Sequence, residues 1–294
     1  MHETIHFGNG QKALTTLVVG RRLTSLFERR ALPTWKRYCE RFGFDLVIFY
    51  TSLDDSLRGR QRSPSWQKCL AADSEILKKY STACWVDADI IINDKAAPSI
   101  FECVPDGSIG AVEAWASPTV EGYKKFLSLS RKHLSSKIGD SVLDDAAAYY
   151  SRFGLSTEYS TVVQAGVIVF NPNAHGPTFR DVYDRYEDRG PAWWHFEMRP
   201  LSYELHRTAM ISWLDARFNY NAICDVVAIQ GEMWPNHFSL LDKVAIRLPW
   251  LPFLSLCYRR KIASIRVALN RAWFLHFAGF RFGLVLASMG KPES

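Results

Sequence analysis

Residues 83–92 read A-C-W-V-D-A-D-I-I-I. Two carboxylates, one residue apart, stand in an apolar run of the kind that forms a buried strand. An ionised carboxylate is costly to bury without a partner. The acids therefore require either a position at the rim of the buried layer or a cation. Side chains alternate between the two faces of a strand, so Asp87 and Asp89 are expected to point one way and Ala88 the other. At the carboxyl end of a strand in an open parallel sheet, that direction faces the crevice where ligands bind. Converging oxygen ligands suit a hard divalent cation, Mg2+ or Mn2+, which fills its shell with phosphate oxygens and water.

The neighbouring segments supply the sheet. Residues 14–19 read as a strand closed by Gly20, residues 26–42 as a helix stopped by Gly43, and residues 44–50, F-D-L-V-I-F-Y, as a second buried strand. A polar loop over 51–65 and a helix over 65–80 lead into the D-x-D strand. Strand-helix-strand-helix-strand predicts an α/β domain with a mainly parallel, twisted sheet flanked by helices. Further on, 108–114 and 161–171 read as strands, and 119–135, 141–153, 178–189 and 199–214 as helices. After about residue 231 prolines, tryptophans and basic residues dominate.

With 294 residues, 48% hydrophobic and 22% charged, the chain has the composition of a folded globular protein of one large domain or two small ones. The net charge of +6 gathers at the end: no Asp or Glu lies between Lys243 and Pro292. Six well-separated cysteines without a C-x-x-C pair read as buried free thiols. The first residues lack the apolar stretch of a secretory signal, and no run reaches the roughly 20 apolar residues of a membrane span. A cytoplasmic location is the expectation. Residues 248–273 interleave Trp, Phe and Tyr with cations, a pattern that suits either an anionic lipid interface, which would make a membrane surface a partner, or apolar packing on the main domain with solvated arginines. No nucleic-acid module accompanies the charge, and no nucleic-acid partner is expected.

The stretch K-C-L-A-A-D-S-E-I-L-K-K-Y-S-T-A-C-W-V-D-A-D-I-I-I resembles the D-x-D region of GT-A nucleotide-sugar glycosyltransferases, in particular the glycogenin-like group and the related α-galactosyl, xylosyl and lipopolysaccharide sugar transferases. Further segments resemble that group in the same order. Q-A-G-V-I-V-F-N-P, residues 164–172, resembles its sugar-pocket strand, with Gln164 in place of Asn or Asp. H-F-E-M-R-P-L-S-Y, residues 195–203, resembles its acidic-pair segment, with Glu197 for Asp and Met198 for Gln. W-L-D-A-R-F-N, residues 213–219, resembles the segment that follows. W-F-L-H-F-A-G, residues 273–279, resembles the motif that returns a His to the metal. His276 and Gly279 match that motif. Phe282 stands at its Lys position with Arg281 beside it, and the P-W that should follow is missing.

The resemblance implies a GT-A fold, with a catalytic domain over residues 1–230 and a C-terminal extension over 231–294 that packs on it and returns His276 to the metal. It implies a metal-dependent, retaining transfer of a hexose from a nucleotide-diphosphate sugar, UDP by family habit, to a glycan or glycolipid acceptor. The implied metal ligands are Asp87, Asp89 and His276. The implied donor-binding positions are Trp66, Lys68, Asp87, Ala88, Asp89, Gly279 and Arg281, and Gly20 and Arg21 join them on topology alone. Negative charge develops on the leaving diphosphate, where a metal and a nearby cation, Arg281 or Lys68, stabilise it. Gln164 and Glu197 are the candidates to face the oxocarbenium-like carbon. Glu197 alternatively binds sugar hydroxyls, orients the acceptor, or is an exposed acid at a helix start. Trp193, Trp194 and His195 are candidates either for a sugar-stacking or acceptor-facing loop or for the commoner place of aromatics in a buried core.

Three rival readings remain beside this one. A HAD-type phosphatase also carries D-x-D, but near its N-terminus and followed by Thr or Val, whereas Ile90, Ile91 and Ile92 follow here. A sugar-nucleotide hydrolase or nucleotidyltransferase on a related fold is another, but such nucleotidyltransferases carry a Gly-rich loop after the first strand, and V-V-G-R-R-L-T has a single Gly. A catalytically degraded, transferase-like scaffold is motivated by the departures at Gln164, Met198 and Phe282.

Overall fold

The computed structural model describes residues 1–126, 128, 145–189, 196–224 and 256–278, the last segment with side chains from residue 263 onward. Gly279, Arg281, Phe282, Trp193, Trp194, His195 and most of residues 231–294 lie outside the described residues, as do parts of the helices expected over 119–153.

A seven-stranded sheet forms the centre, in the order β1-β3-β2-β4-β7-β6-β8. Its strands are β1 (His2–Ile5), β2 (Lys12–Leu17), β3 (Asp45–Phe49), β4 (Thr82–Val86), β6 (Ile109–Glu113), β7 (Val163–Phe170) and β8 (Ile211–Trp213). The expectation of a mainly parallel sheet needs correction. β2 runs parallel to β3 and β4, and β6 parallel to β8. β1 is antiparallel to β3, and β7 is antiparallel to both β4 and β6. Helical crossovers link β2, β3 and β4 and enforce parallel pairing there. The long excursion between β6 and β7 carries no such constraint.

Alternation along β4 assigns the two faces. Cys84 and Val86 join Leu14, Leu46, Ile48, Trp35 and Tyr38 in one core cluster, against the helix Leu32–Phe42. Ala83 and Trp85 join Val47, Ile168, Phe170, Leu70, Phe179 and Leu201 in the other, under the helices Gln67–Ala72, Pro172–Arg185 and Met198–Thr208. The result is a mixed α/β layer structure with apolar material on both faces of the sheet, as near-continuous apolar strands require.

A second, three-stranded sheet lies in the order β5-β10-β9, from β5 (Ile90–Ile92), β9 (Tyr220–Asn221) and β10 (Phe274–His276). β10 pairs antiparallel with β5, setting His276 opposite Ile90, and parallel with β9, setting it beside Asn221. Among the described residues no helix is long and apolar enough to cross a membrane. Cys39, Cys69, Cys84, Cys103 and Cys224 are free thiols, Cys103 being exposed rather than buried as expected.

Candidate functional site

The two aspartates are not strand residues. β4 ends at Val86, and residues 87–90 form a tight turn closed by the Ile90 amide donating to the Asp87 carbonyl at 3.1 Å. Hydrogen bonds to two other strands pin this turn. The Asp87 amide donates to the Gly166 carbonyl on β7 at 2.8 Å, and the Phe277 amide beyond β10 donates to the Asp89 carbonyl at 3.1 Å. Ala88 turns its side chain into the core. The shared direction of the acids therefore comes from the turn rather than from strand alternation.

β10 brings a third group from far along the chain. Single ligand atoms of Asp87, Asp89 and His276 all lie within 4.8 Å of one another. The Nε2 of His276 is 3.3 Å from Asp89 Oδ1 and 3.8 Å from Asp87 Oδ2. Its Nδ1 lies 2.8 Å from Asn219 Oδ1. The ring fits only because residue 166 is glycine: a Cβ there would lie 2.5 Å from His276 Cε1 and 2.8 Å from its Nδ1. The Gly of Q-A-G-V thus serves a close approach.

Beneath the turn, on the helix Gln67–Ala72, Lys68 is buried, with its residue 2% exposed. Its ammonium donates to the Ala165 carbonyl at 2.8 Å, and lies 2.7 Å from Glu197 Oε1 and 3.3 Å from Asp87 Oδ1. These three contacts match the three hydrogens of an ammonium. Trp85 Nε1–H donates to Asp87 Oδ1 at 2.7 Å. Glu197, at the start of the helix Met198–Thr208, is 3% exposed, so the alternative of an exposed helix-start acid does not hold.

The charges shift one another. Burial pushes the Asp87 carboxyl above its ordinary range, and Lys68 and His276 oppose that without reversing it. At Asp89 burial acts in the same sense, but His276 outweighs it and the carboxyl falls below its ordinary value. Burial would lower the His276 imidazole, yet Asp89 and Asp87 raise it. For Lys68, burial is outweighed by Asp87 and Glu197, so the ammonium stays charged.

The remaining expected residues fall in different places. Gln164 is engaged within the protein: its Oε1 accepts from the Gly166 amide at 2.7 Å and from Asn219 Nδ2. Trp66 is wholly buried against Arg62 and Tyr183, so its ring presents no surface to a donor. Gly20, at φ 97°, caps a helix whose first residue, exposed Arg21, leaves the sheet at the same carboxyl edge as β4, since Thr15 pairs with Trp85. Sequence reasoning assigned no role to Asn219, Trp85 or Gly166. Asn219 closed the W-L-D-A-R-F-N segment, which was the one available signal.

No family model matches the chain, and no curated protein matches it by sequence. Among solved structures it is similar to a glycosyltransferase involved in the glycosylation of the major capsid of PBCV-1. The TM-score is 0.50 at 12% identity, over 95% of this chain and 98% of that one. It is also similar to the apo bifunctional glycosyltransferase WbbM, at a TM-score of 0.44 and 12% identity, over 95% of this chain and 50% of that one. Mouse xyloside xylosyltransferase 1 in its apo form follows at 0.34 and 13%, over 72% and 87%. The fold is that of a glycosyltransferase.

Proposed function

We propose that the chain is a divalent-metal-dependent glycosyltransferase of the GT-A type, moving a hexose from a nucleotide-diphosphate sugar, UDP-linked, to a glycan or glycolipid acceptor with retention at the anomeric carbon. The observation that carries this reading is the meeting of Asp87, Asp89 and His276 at the carboxyl edge of the sheet. The donor set fits Mn2+ or Mg2+: two carboxylates and one imidazole, with partly exposed acids and a His whose second nitrogen is held by a carbonyl oxygen.

Asp87, Asp89 and His276 would hold the ion, which supplies Lewis-acid stabilisation of the departing diphosphate. Gly20 and Arg21 lie at the edge where the nucleotide would be received, and Arg281 and Gly279 complete the donor side in this reading. Lys68 departs from its expected role. Its ammonium is spent on Asp87, Glu197 and Ala165, so it balances charge beneath the metal turn rather than reaching the donor. Glu197, 3% exposed and paired with Lys68 at 2.7 Å, would act on the sugar only if that pair opens, and Gln164 belongs to the support of His276 in this reading.

The division into a catalytic domain, residues 1–230, and an extension, residues 231–294, belongs to the same reading, as does a cytoplasmic site at a membrane surface. In the described part of the helix Leu256–Arg271, Ser264, Ile265 and Ala268 are buried and Arg266 is exposed. Its basic side would then meet anionic headgroups.

The test is thermal stabilisation by UDP, GDP and CMP, each with and without Mn2+, on wild type and Asp89→Ala. A ligand at 100 times its dissociation constant adds about 2.7 kcal/mol. UDP is expected to stabilise wild type only with Mn2+, and the variant not at all. If no nucleotide shifts wild type under either condition, the transferase reading gives way to that of a binding or scaffold protein.

A further inference from the structure

We propose that Asn219 and Gln164 form a buried relay, anchored on the backbone N–H of Gly166, that fixes the tautomer of His276 so that Nε2 turns a lone pair toward Asp87 and Asp89. The inference rests on the metal reading of the same site. Gln164 and Asn219 are in this view positioning residues.

The direction of the relay follows from donor and acceptor accounting. A backbone N–H donates and cannot be reversed. The Gly166 amide lies 2.7 Å from Gln164 Oε1, so the oxygen, and not the amino end, of the Gln164 amide faces it. That same oxygen meets the Asn219 amide, which must therefore present its NH2 end. Asn219 Oδ1 is then left toward His276 Nδ1 at 2.8 Å, and an oxygen there requires the proton on Nδ1. Reversing Asn219 alone would set two oxygens against each other. Reversing both amides would set the Gln164 NH2 against the Gly166 N–H. Gln164 Nε2 also lies 3.4 Å from His276 Nδ1. Two donors face each other there, and the shorter contact to Asn219 decides.

Asn219 is well placed for this task. It is fully buried, and its backbone carbonyl accepts from Ser117 Oγ, which also accepts from the Asn221 amide at 3.1 Å. Asn221 pairs with His276 in the small sheet, so one strand pairing fixes both partners.

The relay matters because a competing tautomer has its own attraction. A proton on Nε2 would point at Asp89 Oδ1, 3.3 Å away, and would occupy the nitrogen that a metal needs. Neutral imidazole binds a metal through the nitrogen opposite its N–H. The relay sets a nearer acceptor, Asn219 Oδ1 at 2.8 Å, against Asp89 Oδ1 at 3.3 Å, so that in the neutral imidazole the proton stays on Nδ1 and the ligand nitrogen is bare before any ion arrives.

The first measurement needs no variant and no metal. Long-range 1H–15N correlation on histidine-labelled protein, at a pH where His276 is neutral, is expected to give a protonated Nδ1 and a bare Nε2. The opposite assignment overturns the proposal. Asn219→Leu and Asn219→Asp then separate positioning from folding, with free Mn2+ counted by electron paramagnetic resonance. N219L removes the acceptor and is expected to shift the proton toward Nε2 and to lose roughly 10- to 100-fold in Mn2+ affinity. N219D keeps an acceptor for Nδ1 while losing the donor to Gln164, so it should melt lower yet hold the wild-type tautomer. An N219L protein with unchanged tautomer and Mn2+ affinity overturns the proposal. Wild type with the expected tautomer but no Mn2+ binding supports the relay and removes the metal reading, so the two failures are distinguishable.

Discussion

Replacing Lys68 by Met tests the charge balance on which the turn carrying Asp87 and Asp89 rests. The substitution keeps most of the side-chain volume and removes one buried ammonium, leaving Glu197 at 2.7 Å and Asp87 at 3.3 Å without it. Removing one partner of a buried pair costs about 3–5 kcal/mol, because the other is left buried and uncompensated. At roughly 2–3 °C per kcal/mol for a chain of this size, the melting temperature should fall by roughly 6–15 °C. The pH dependence gives a second sign. The folded-state pKa of Lys68 is raised, so its contribution is fully present below the unfolded value and is lost only when pH rises through the folded one, well into alkali. Wild type should therefore show no change due to Lys68 between about pH 5 and 8. In K68M the Asp87 carboxyl, already raised by burial, loses the cation that opposed that shift. Its penalty is full at the alkaline end and shrinks as the pH falls and the carboxyl takes up a proton. The gap between wild type and K68M, followed by differential scanning calorimetry, should thus narrow toward pH 5. Glu197→Gln placed on K68M should recover part of the loss, since it removes a carboxylate stranded by the first change. A gap under about 2 °C at pH 8, or a gap that widens in acid, would refute the charge-balance argument.

Gly166→Ala sets a methyl against the His276 ring and should cost about 1–3 kcal/mol while weakening Mn2+ binding; unchanged Mn2+ affinity by isothermal titration would count against the close approach. Because Asp89 and Asp87 raise the His276 imidazole, Mn2+ must displace a proton at the acid end, so affinity should climb with pH through that titration and level off above it. Calorimetry in buffers of different ionisation enthalpy should detect the released proton, and a flat affinity between about pH 5.5 and 8 would be inconsistent with His276 as a ligand. Asp45, fully buried in β3, accepts from His6, the Phe7 and Gly8 amides and Tyr80. Burial would raise this carboxyl, but those bonds lower it, so its contribution stands above the unfolded pKa and is lost as pH falls through the folded one. Asp45→Asn should lose about 1.5–3 kcal/mol near neutral pH, with the deficit closing below about pH 4 in urea titrations; equal deficits at both pH values would contradict the assignment.

The strands that the sequence made legible are those whose burial is written in their own residues. The runs over 44–50 and 161–171 correspond to β3 (Asp45–Phe49) and β7 (Val163–Phe170), apolar enough to be covered on both faces. β5, β8, β9 and β10 have two or three residues each and owe their existence to remote partners. Ile211, in β8, pairs with Ile109. Read alone, Ile211–Trp213 continues the helical spacing of residues 199–214, although the helix stops at Thr208. Strand direction failed for the same reason: helical connections imply parallel β2, β3 and β4, while nothing local marks β7 as antiparallel.

The site was legible in its acids and opaque in its balance. Two carboxylates in an apolar run require a rim position or a cation, and the resemblance implies that the cation is a metal. The chain supplies one cation itself, since Lys68 sits under Asp87. Its helix is visible in the sequence, but the direction of its ammonium depends on Glu197 and the Ala165 carbonyl, which arrive from elsewhere. The sum still leaves a deficit. Asp87, Asp89 and Glu197 carry three negative charges against one positive charge on Lys68, so the cluster holds a net −2 with His276 neutral. Lys68 lowers the Asp89 carboxyl less than His276 does, and among the described residues the cation nearest that acid is a protonated His276. A divalent ion matches the remaining charge in sign and size, at the rim where the two aspartates stay partly exposed and Glu197 does not. The internal ammonium is therefore compatible with the proposed metal: it neutralises the buried side of the cluster and would leave the solvent side to an exchangeable ion.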